Sequence, residues 1–380
     1  MKIIYINSIL PDEATGQGSF ERNFISYMKS LSNQQVVFLT IGAGRTFYKD
    51  GTYNIKLNKN SFISYFLYIF RVFFILMKEI LTSKKKIFLY TRLAPYNLAP
   101  IIFSFIPSVS LTVRSGPVYQ NLTSYGKIKN KKLLNIFKFI LRLYYRRADK
   151  IICVTDIIKQ RIVSDFNIDK NKIYVIPNPI NDDIFSRCEL KDEVTSKLNT
   201  IGFIGNIYKD QGVHHLISAI NILVSKNNFN NFRVVIVGDG DYFKQCELLI
   251  KQYNLNDVIT MAGLVAPNEV PLYIRNFDIC VAPFTERDYK IRGSSALKIM
   301  EYLYCNKPVV TIDVNEYRFI KDNSFGVLYE ADNINDLANS IFSLMQQQTV
   351  IESKSFVTEH MSKNVIFKQY LQLITNNNAY

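Results

Sequence analysis

Short apolar runs alternate with longer segments of helical period along the whole chain. In the first half, Ile3–Ile6, Val36–Leu39, Ile87–Tyr90, Val109–Val113, Ile151–Val154 and Ile173–Ile176 read as buried strands. Between them, apolar positions recur every three or four residues around Ser19–Leu31, Phe62–Leu81, Leu98–Phe105, Lys132–Arg146 and Ile157–Phe166, which predicts helices. The second half repeats the scheme with strands at Ile201–Ile204, Arg233–Val237, Val258–Met261, Ile279–Val281, Val309–Ile312 and Gly326–Tyr329. Its longest helix is expected to start near Gly212, and a last helix spans about Asn364–Thr375. Such alternation predicts parallel sheets covered by helices on both faces.

At 380 residues the chain is too long for one ordinary core. Pro177-Asn-Pro179 and the charged stretch Cys188–Lys197 mark the natural boundary. The expected architecture is α/β, with two Rossmann-like domains whose parallel sheets face a central cleft. Residues 1–180 form the first domain, 181–360 the second, and 361–380 a closing helix.

Composition narrows the function classes. The chain is 48% hydrophobic and 21% charged, a globular rather than a disordered balance. Its net charge of +14 implies attraction to polyanions. No helix-turn-helix, zinc-finger or RNP signature accompanies that charge, so nucleic acid is not the expected partner. The five cysteines lack C-x-x-C spacing and most sit in apolar runs, which reads as buried thiols of a reducing compartment. The histidines, His214, His215 and His360, form no cluster with the cysteines, so a zinc site is not expected either.

The opening Met1-Lys-Ile-Ile-Tyr-Ile6 reads as a strand rather than a targeting segment. Phe62–Leu81 is nearly all apolar, but Arg71, Lys78 and Glu79 interrupt it and Lys84-Lys85-Lys86 follows. Those charges argue for an amphipathic helix, against the sheet or on a membrane surface, rather than a spanning one. A second basic helix interleaves Lys138, Arg142, Arg146 and Arg147 with Leu133, Ile136, Phe139 and Ile140. It is either a solvated edge of the fold or a face for anionic lipid.

The stretch richest in chemistry is Gly293–Val310, in which a small-residue turn runs into a helix and then a buried strand. Ser294, Ser295, Ala296 and Leu297 would supply unpaired N–H groups at the positive end of that helix, which suits a phosphate. Lys298 and Glu301 stand three apart and share a helix face. A cation for phosphate beside a carboxylate for ribose hydroxyls describes a nucleoside-diphosphate pocket. The bland alternative is a solvated lysine and glutamate with no task.

This stretch resembles the "P-L-K-x-x-E-Y-x-x-x-x-K-P-V-V" signature of family 4 glycosyltransferases, specifically their Lys-x-x-Glu-Tyr subgroup. Val235-Ile-Val-Gly-Asp-Gly240, Thr260–Leu264, Asp278–Pro283 and Phe325–Leu328 recur in the family's order, as does Lys172–Asn178 followed by Phe185. The resemblance covers the second half well and the first half loosely. It implies the GT-B fold, a last helix that crosses back to the first domain, and retaining transfer of a hexose from a nucleotide-diphosphate sugar. It also implies that Glu301 accepts from the ribose hydroxyls and that Lys298 serves the diphosphate and its departing oxygen.

Other motifs are placed by the same resemblance. Phe203–Gly212 matches a diphosphate loop, with Gly205, Asn206 and Lys209 facing the donor. The family's arginine and lysine are Asn206 and Gln211 here, a departure that motivates a rival, non-catalytic reading. Gly238 lies in a tight strand-to-helix turn rather than a metal-binding D-x-D, and Leu264 and Val265 are expected near the base. The Gly16–Ser19 segment is either a plain strand-to-helix turn with Ser19 as N-cap, or one in which Gly16 and Gly18 let backbone approach donor or acceptor. Arg114 or Ser115 stands where many members carry a histidine; Arg114 either binds acceptor phosphate or pairs with a surface carboxylate.

The resulting expectation is a metal-independent hexosyltransferase with no resident cofactor, using a UDP-sugar in preference to a GDP-sugar. Its partners are the nucleotide sugar, a glycan or lipid-linked oligosaccharide acceptor and an anionic membrane surface. It would act in bacterial surface polysaccharide synthesis, cytoplasmic and peripheral on the inner face of the membrane. The alternatives are a degenerate binding protein and a sugar-nucleotide epimerase of the same fold.

Overall fold

The structure, a computed structural model, describes residues 1–7, 16–31, 35–42, 47–58, 61–116, 130–186, 199–227, 231–293, 297–347 and 350–375. The chain divides into two compact units. The first comprises Met1–Pro179, Ile291–Ser295 and Lys363–Tyr380, and the second Ile180–Lys290 and Ala296–Ser362.

The first unit is built on β1 (Lys2–Ile6), β2 (Gln35–Gly42), β3 (Phe47–Lys49), β4 (Thr52–Lys56), β5 (Ile87–Arg92), β6 (Val109–Ser115), β7 (Lys150–Cys153) and β8 (Ile173–Val175). Their spatial order is β3-β4-β2-β1-β5-β6-β7-β8, parallel throughout except where β3 meets β4. That hairpin was not anticipated from the apolar pattern. It turns at Asp50-Gly51, both at positive φ (47° and 75°), the backbone a two-residue hairpin requires.

The two faces of β1 follow the strand period of two. Ile4 and Ile6 join a core with Tyr68, Val72 and Leu76 of the Phe62–Leu81 helix and Leu141 and Tyr144 of the Lys131–Arg147 helix. Tyr5 points the other way, into an aromatic cluster with Phe24, Tyr90, Phe367 and Tyr370. Chain direction accounts for this segregation. Crossovers running from β4 to β5, β5 to β6 and β6 to β7 share one sense, so right-handedness places their helices on one face. The Gly16–Ser30 helix, between β1 and β2, goes to the opposite face, where the Lys363–Thr375 helix packs on it through Phe20 and Phe367.

The second unit contains β9 (Asn199–Ile204), β10 (Phe232–Val237), β11 (Ile259–Gly263), β12 (Ile279–Ala282), β13 (Val309–Ile312) and β14 (Gly326–Tyr329). All pair in parallel, in the order β11-β10-β9-β12-β13-β14. Chain progression reverses between β9 and β12. In open α/β sheets, ligands sit outside the carboxyl ends of the strands at such a switch point. Within this unit, the loops after β9 and β12 are therefore the place to look for a site.

Candidate functional site

The carboxyl ends of β9 and β10 are joined backbone to backbone. Gly205 N–H donates to Val237 O (3.0 Å), and Ile207 N–H to Asp239 O (2.9 Å). Gly238 lies at φ +133°, and a Cβ there would stand 1.9 Å from Gly205 O. Only glycine admits that approach. Asp239 spends its carboxylate on the Gly240 N–H at 2.7 Å, closing the turn. Among the described residues, no three His, Cys, Asp or Glu side chains gather where they could hold a metal ion.

The loop after β9 is equally bound to the loop after β12. A Cβ on Gly212 (φ +71°) would lie 1.6 Å from Pro283 O. Thr285 donates from N–H (3.3 Å) and Oγ1 (3.1 Å) to Asp210 O, and its Oγ1 accepts from Asp288 N–H at 3.1 Å. Gln211 then bridges the two loops: its Nε2 donates to Asp288 Oδ2 (3.4 Å) while its Oε1 accepts from Lys298 Nζ (2.8 Å).

Lys298 reaches this point from the Leu297–Tyr304 helix. Its ammonium lies 4.2 Å from the centre of the Phe203 ring on β9 and 5.0 Å from that of Phe284 after β12. It thus occupies the switch point itself, half-buried against aromatic faces and Gly205. Glu301 follows one turn later. Burial pushes its carboxyl up to about 7, against the opposing pull of Lys298. The pair therefore couples a fixed cation to a carboxylate that titrates near neutrality.

Tyr302 fixes the same corner from beneath. Its hydroxyl accepts from Ile204 N–H (2.9 Å) and donates to Ile204 O (3.3 Å), pinning the last residue of β9.

Of the other expected donor residues, Asn206, Lys209 and Leu264 are exposed and Val265 and Leu297 half-buried, at or beside the carboxyl ends of β9 and β11 or at the helix start. Ser294, Ser295 and Ala296 lie outside the described residues.

In the first unit, Gly16 and Gly18 belong to the Gly16–Ser30 helix rather than to a loop before it. The helix begins a turn ahead of Ser19, which is therefore not its N-cap. The buried positions Phe20, Glu21, Phe24 and Met28 hold it against the sheet from its first turns onward.

Arg114 sits on β6 as a buried side chain. Nε donates to Tyr370 Oη (3.1 Å), a terminal nitrogen donates to Asn178 Oδ1, and the other lies 3.5 Å from Glu21. Its guanidinium carbon is 3.5 Å from the Phe20 ring centre. Glu21 also takes Arg92 at 3.3 Å and the Tyr5 hydroxyl. Burial nevertheless outweighs both arginines and leaves the Glu21 carboxyl above its usual range.

Three participants were not assigned roles from sequence. Gln211, a lost charge by the family resemblance, accepts the lysine's hydrogen bond. Tyr302 was visible only as the tyrosine after the glutamate of the motif. Glu21 lies three residues after Gly18, and no periodicity distinguishes a buried glutamate from a solvated one.

Residues 189–362 match the family model "Glycosyl transferases group 1", and residues 106–184 match "Glycosyltransferase Family 4". The chain is similar to the alpha-monoglucosyldiacylglycerol synthase of Streptococcus pneumoniae, 24% identical over 64% of this chain and 56% of that protein. It is also similar to an Escherichia coli UDP-Gal:alpha-D-GlcNAc-diphosphoundecaprenol alpha-1,3-galactosyltransferase, 21% identical over 57% of each. The chain thus spans little more than half the length of these two relatives. Its fold resembles that of Anabaena HepE in complex with UDP, with a TM-score of 0.67, 16% identity, and 99% of this chain and 100% of that one covered. Two glycosyltransferase family models thus match in order along the chain, and its doubly wound fold is of the GT-B type shared with such neighbours.

Proposed function

We propose that the protein is a retaining hexosyltransferase of the Lys-x-x-Glu-Tyr subgroup. It moves a hexose from a UDP-sugar, or second a GDP-sugar, to a hydroxyl of a lipid-linked glycan during bacterial surface polysaccharide synthesis. The reaction needs no metal, and the protein works peripherally on the inner face of the cytoplasmic membrane. The observation that carries this reading is the placement of Lys298 at the switch point with Glu301 one turn away.

In this mechanism the bond between the anomeric carbon and the diphosphate breaks while the acceptor oxygen bonds to that carbon on the same face. The acceptor proton passes to the departing phosphate oxygen. Lys298 stabilises the charge that grows on that oxygen, and it does so well because its position is fixed before reaction. Glu301, ionised, accepts from the donor's ribose hydroxyls. The names of the relatives, one making a glucosyldiacylglycerol and one acting on a diphosphoundecaprenol, support a lipid-borne acceptor, and HepE's complex supports UDP.

A melting panel with UDP, GDP, ADP, TDP and CMP and their sugars, without metal, tests the reading. Saturation at a hundred times the dissociation constant adds about 2.7 kcal/mol, a shift of several degrees. One nucleoside diphosphate is expected to stabilise the wild type clearly more than Lys298→Ala. A flat panel with a folded sample would replace this reading by the non-catalytic one that Asn206 and Gln211 motivate.

A further inference from the structure

The Phe62–Leu81 helix is apolar on both sides. Tyr68, Val72, Leu76 and Ile80 face the sheet and are buried. Yet its opposite stripe, at helical spacing, carries Ile63 (70% exposed), Phe66 (62%), Phe70 (53%) and Phe74 (44%). A surface helix ordinarily turns a polar stripe outward; one that is hydrophobic all round has something covering it. Its single carboxylate, Glu79, turns to Lys2 and Tyr53, while Lys78 and the following Lys84, Lys85 and Lys86 are exposed.

This face continues onto neighbouring elements of the same layer. Phe73 packs on Phe103 of the Ala99–Phe103 helix with ring centres 5.0 Å apart. Just beyond, Phe105 is exposed, and the Arg147 guanidinium lies 4.0 Å from its ring centre. Arg147 ends the Lys131–Arg147 helix, which contains no acidic residue and exposes Leu133, Ile136 and Phe139 beside Lys131, Lys132 and Arg142. No helix of the described residues is long and apolar enough to cross a membrane.

We propose that this three-helix outer face of the first unit is the protein's docking surface for an anionic lipid bilayer. The aromatic stripe of Phe66, Phe70 and Phe74 enters the headgroup–acyl boundary, and the cations of the Lys131–Arg147 helix and of Lys84–Lys86 meet lipid phosphates. A second copy of the chain is the poorer occupant. Two-fold self-packing would set this cation-rich face against itself, whereas anionic lipid complements it. The proposal deepens the membrane location in the proposed function by naming the surface and the lipid charge it reads.

Sedimentation with phosphatidylcholine vesicles, with and without phosphatidylglycerol, tests it on the full chain. Wild type is expected to bind the anionic vesicles and to lose most binding in high salt. The triple variant Phe66→Ser, Phe70→Ser, Phe74→Ser and the triple variant Lys131→Glu, Lys132→Glu, Arg142→Glu are each expected to weaken binding at least roughly tenfold. Both sets are exposed, and the melting temperature verifies folding. Wild-type binding by either variant, or no binding of wild type, overturns the proposal. So does a wild-type dimer that the phenylalanine variant converts to a monomer. Nucleotide stabilisation measured on the same samples separates the two readings, since each can fail while the other stands.

Discussion

Lys298 Nζ donates a 2.8 Å hydrogen bond to Gln211 Oε1, and Gln211 in turn holds Asp288. A lysine at position 211 would place a second ammonium against the first; the neutral amide instead aims Lys298 at the carboxyl ends of β9 and β12. The departure at 211 thus gives Lys298 a neutral hydrogen-bond partner in place of a second cation. Lys298→Ala is expected to weaken nucleoside-diphosphate binding by about 1.5–3 kcal/mol, the worth of a charge-assisted hydrogen bond. Gln211→Ala should lose less, because the ammonium stays and loses one of its contacts. Isothermal titration checks both, and an unchanged affinity in Lys298→Ala would remove Lys298 from the site.

Glu301 is expected to make donor binding and stability depend on pH in opposite senses. Its folded pKa of about 7 lies above the ordinary 4.5, so between those values the folded protein keeps a proton that the unfolded chain has released. The group's contribution is therefore full below pH 4.5 and is lost as pH rises towards 7. Glu301→Gln is expected to melt higher than wild type at pH 8, by about 2–4 °C for each kcal/mol of relieved burial, and alike at pH 4.5. Nucleotide affinity should move the other way, strengthening from pH 6 to pH 8 in wild type and staying flat in the variant. Melting curves and titrations at the two ends of the range give the answer.

Tyr302→Phe keeps the ring and removes one oxygen. It leaves the buried Ile204 N–H without its 2.9 Å acceptor, a loss of about 1–3 kcal/mol. Since Ile204 ends β9 and Gly205 follows, the loop that carries Asn206 and Lys209 should loosen, and donor affinity should fall with stability. Urea unfolding and nucleotide titration on one sample measure the two together.

The strands and long helices were legible because a buried parallel sheet writes its period directly into Ile, Val and Leu. The Phe62–Leu81 helix and the Gly326–Tyr329 strand were placed residue for residue. The β3–β4 hairpin escaped because its strands are short and polar at a sheet edge, though Asp50-Gly51 carried the signal. The motif led to Lys298 and Glu301, but not to their supports. Gln211 and Tyr302 act through contacts to residues 87 and 98 positions away, which no local pattern encodes.

Arg114 tests whether a buried cation is support or contact. It shares Glu21 with Arg92, and Glu21 is wholly buried. Removing one partner of such a group leaves uncompensated charge, so Glu21→Ala should cost about 3–5 kcal/mol, and Arg114→Ala a similar amount. Because both belong to one network, the double variant is expected to cost clearly less than the sum of the two. Urea unfolding of the four proteins measures that coupling. If Arg114 also touches acceptor phosphate, Arg114→Ala raises the acceptor KM while Glu21→Ala, measured at a temperature where both remain folded, does not. Equal KM values for the two variants would make Arg114 a residue of the fold alone.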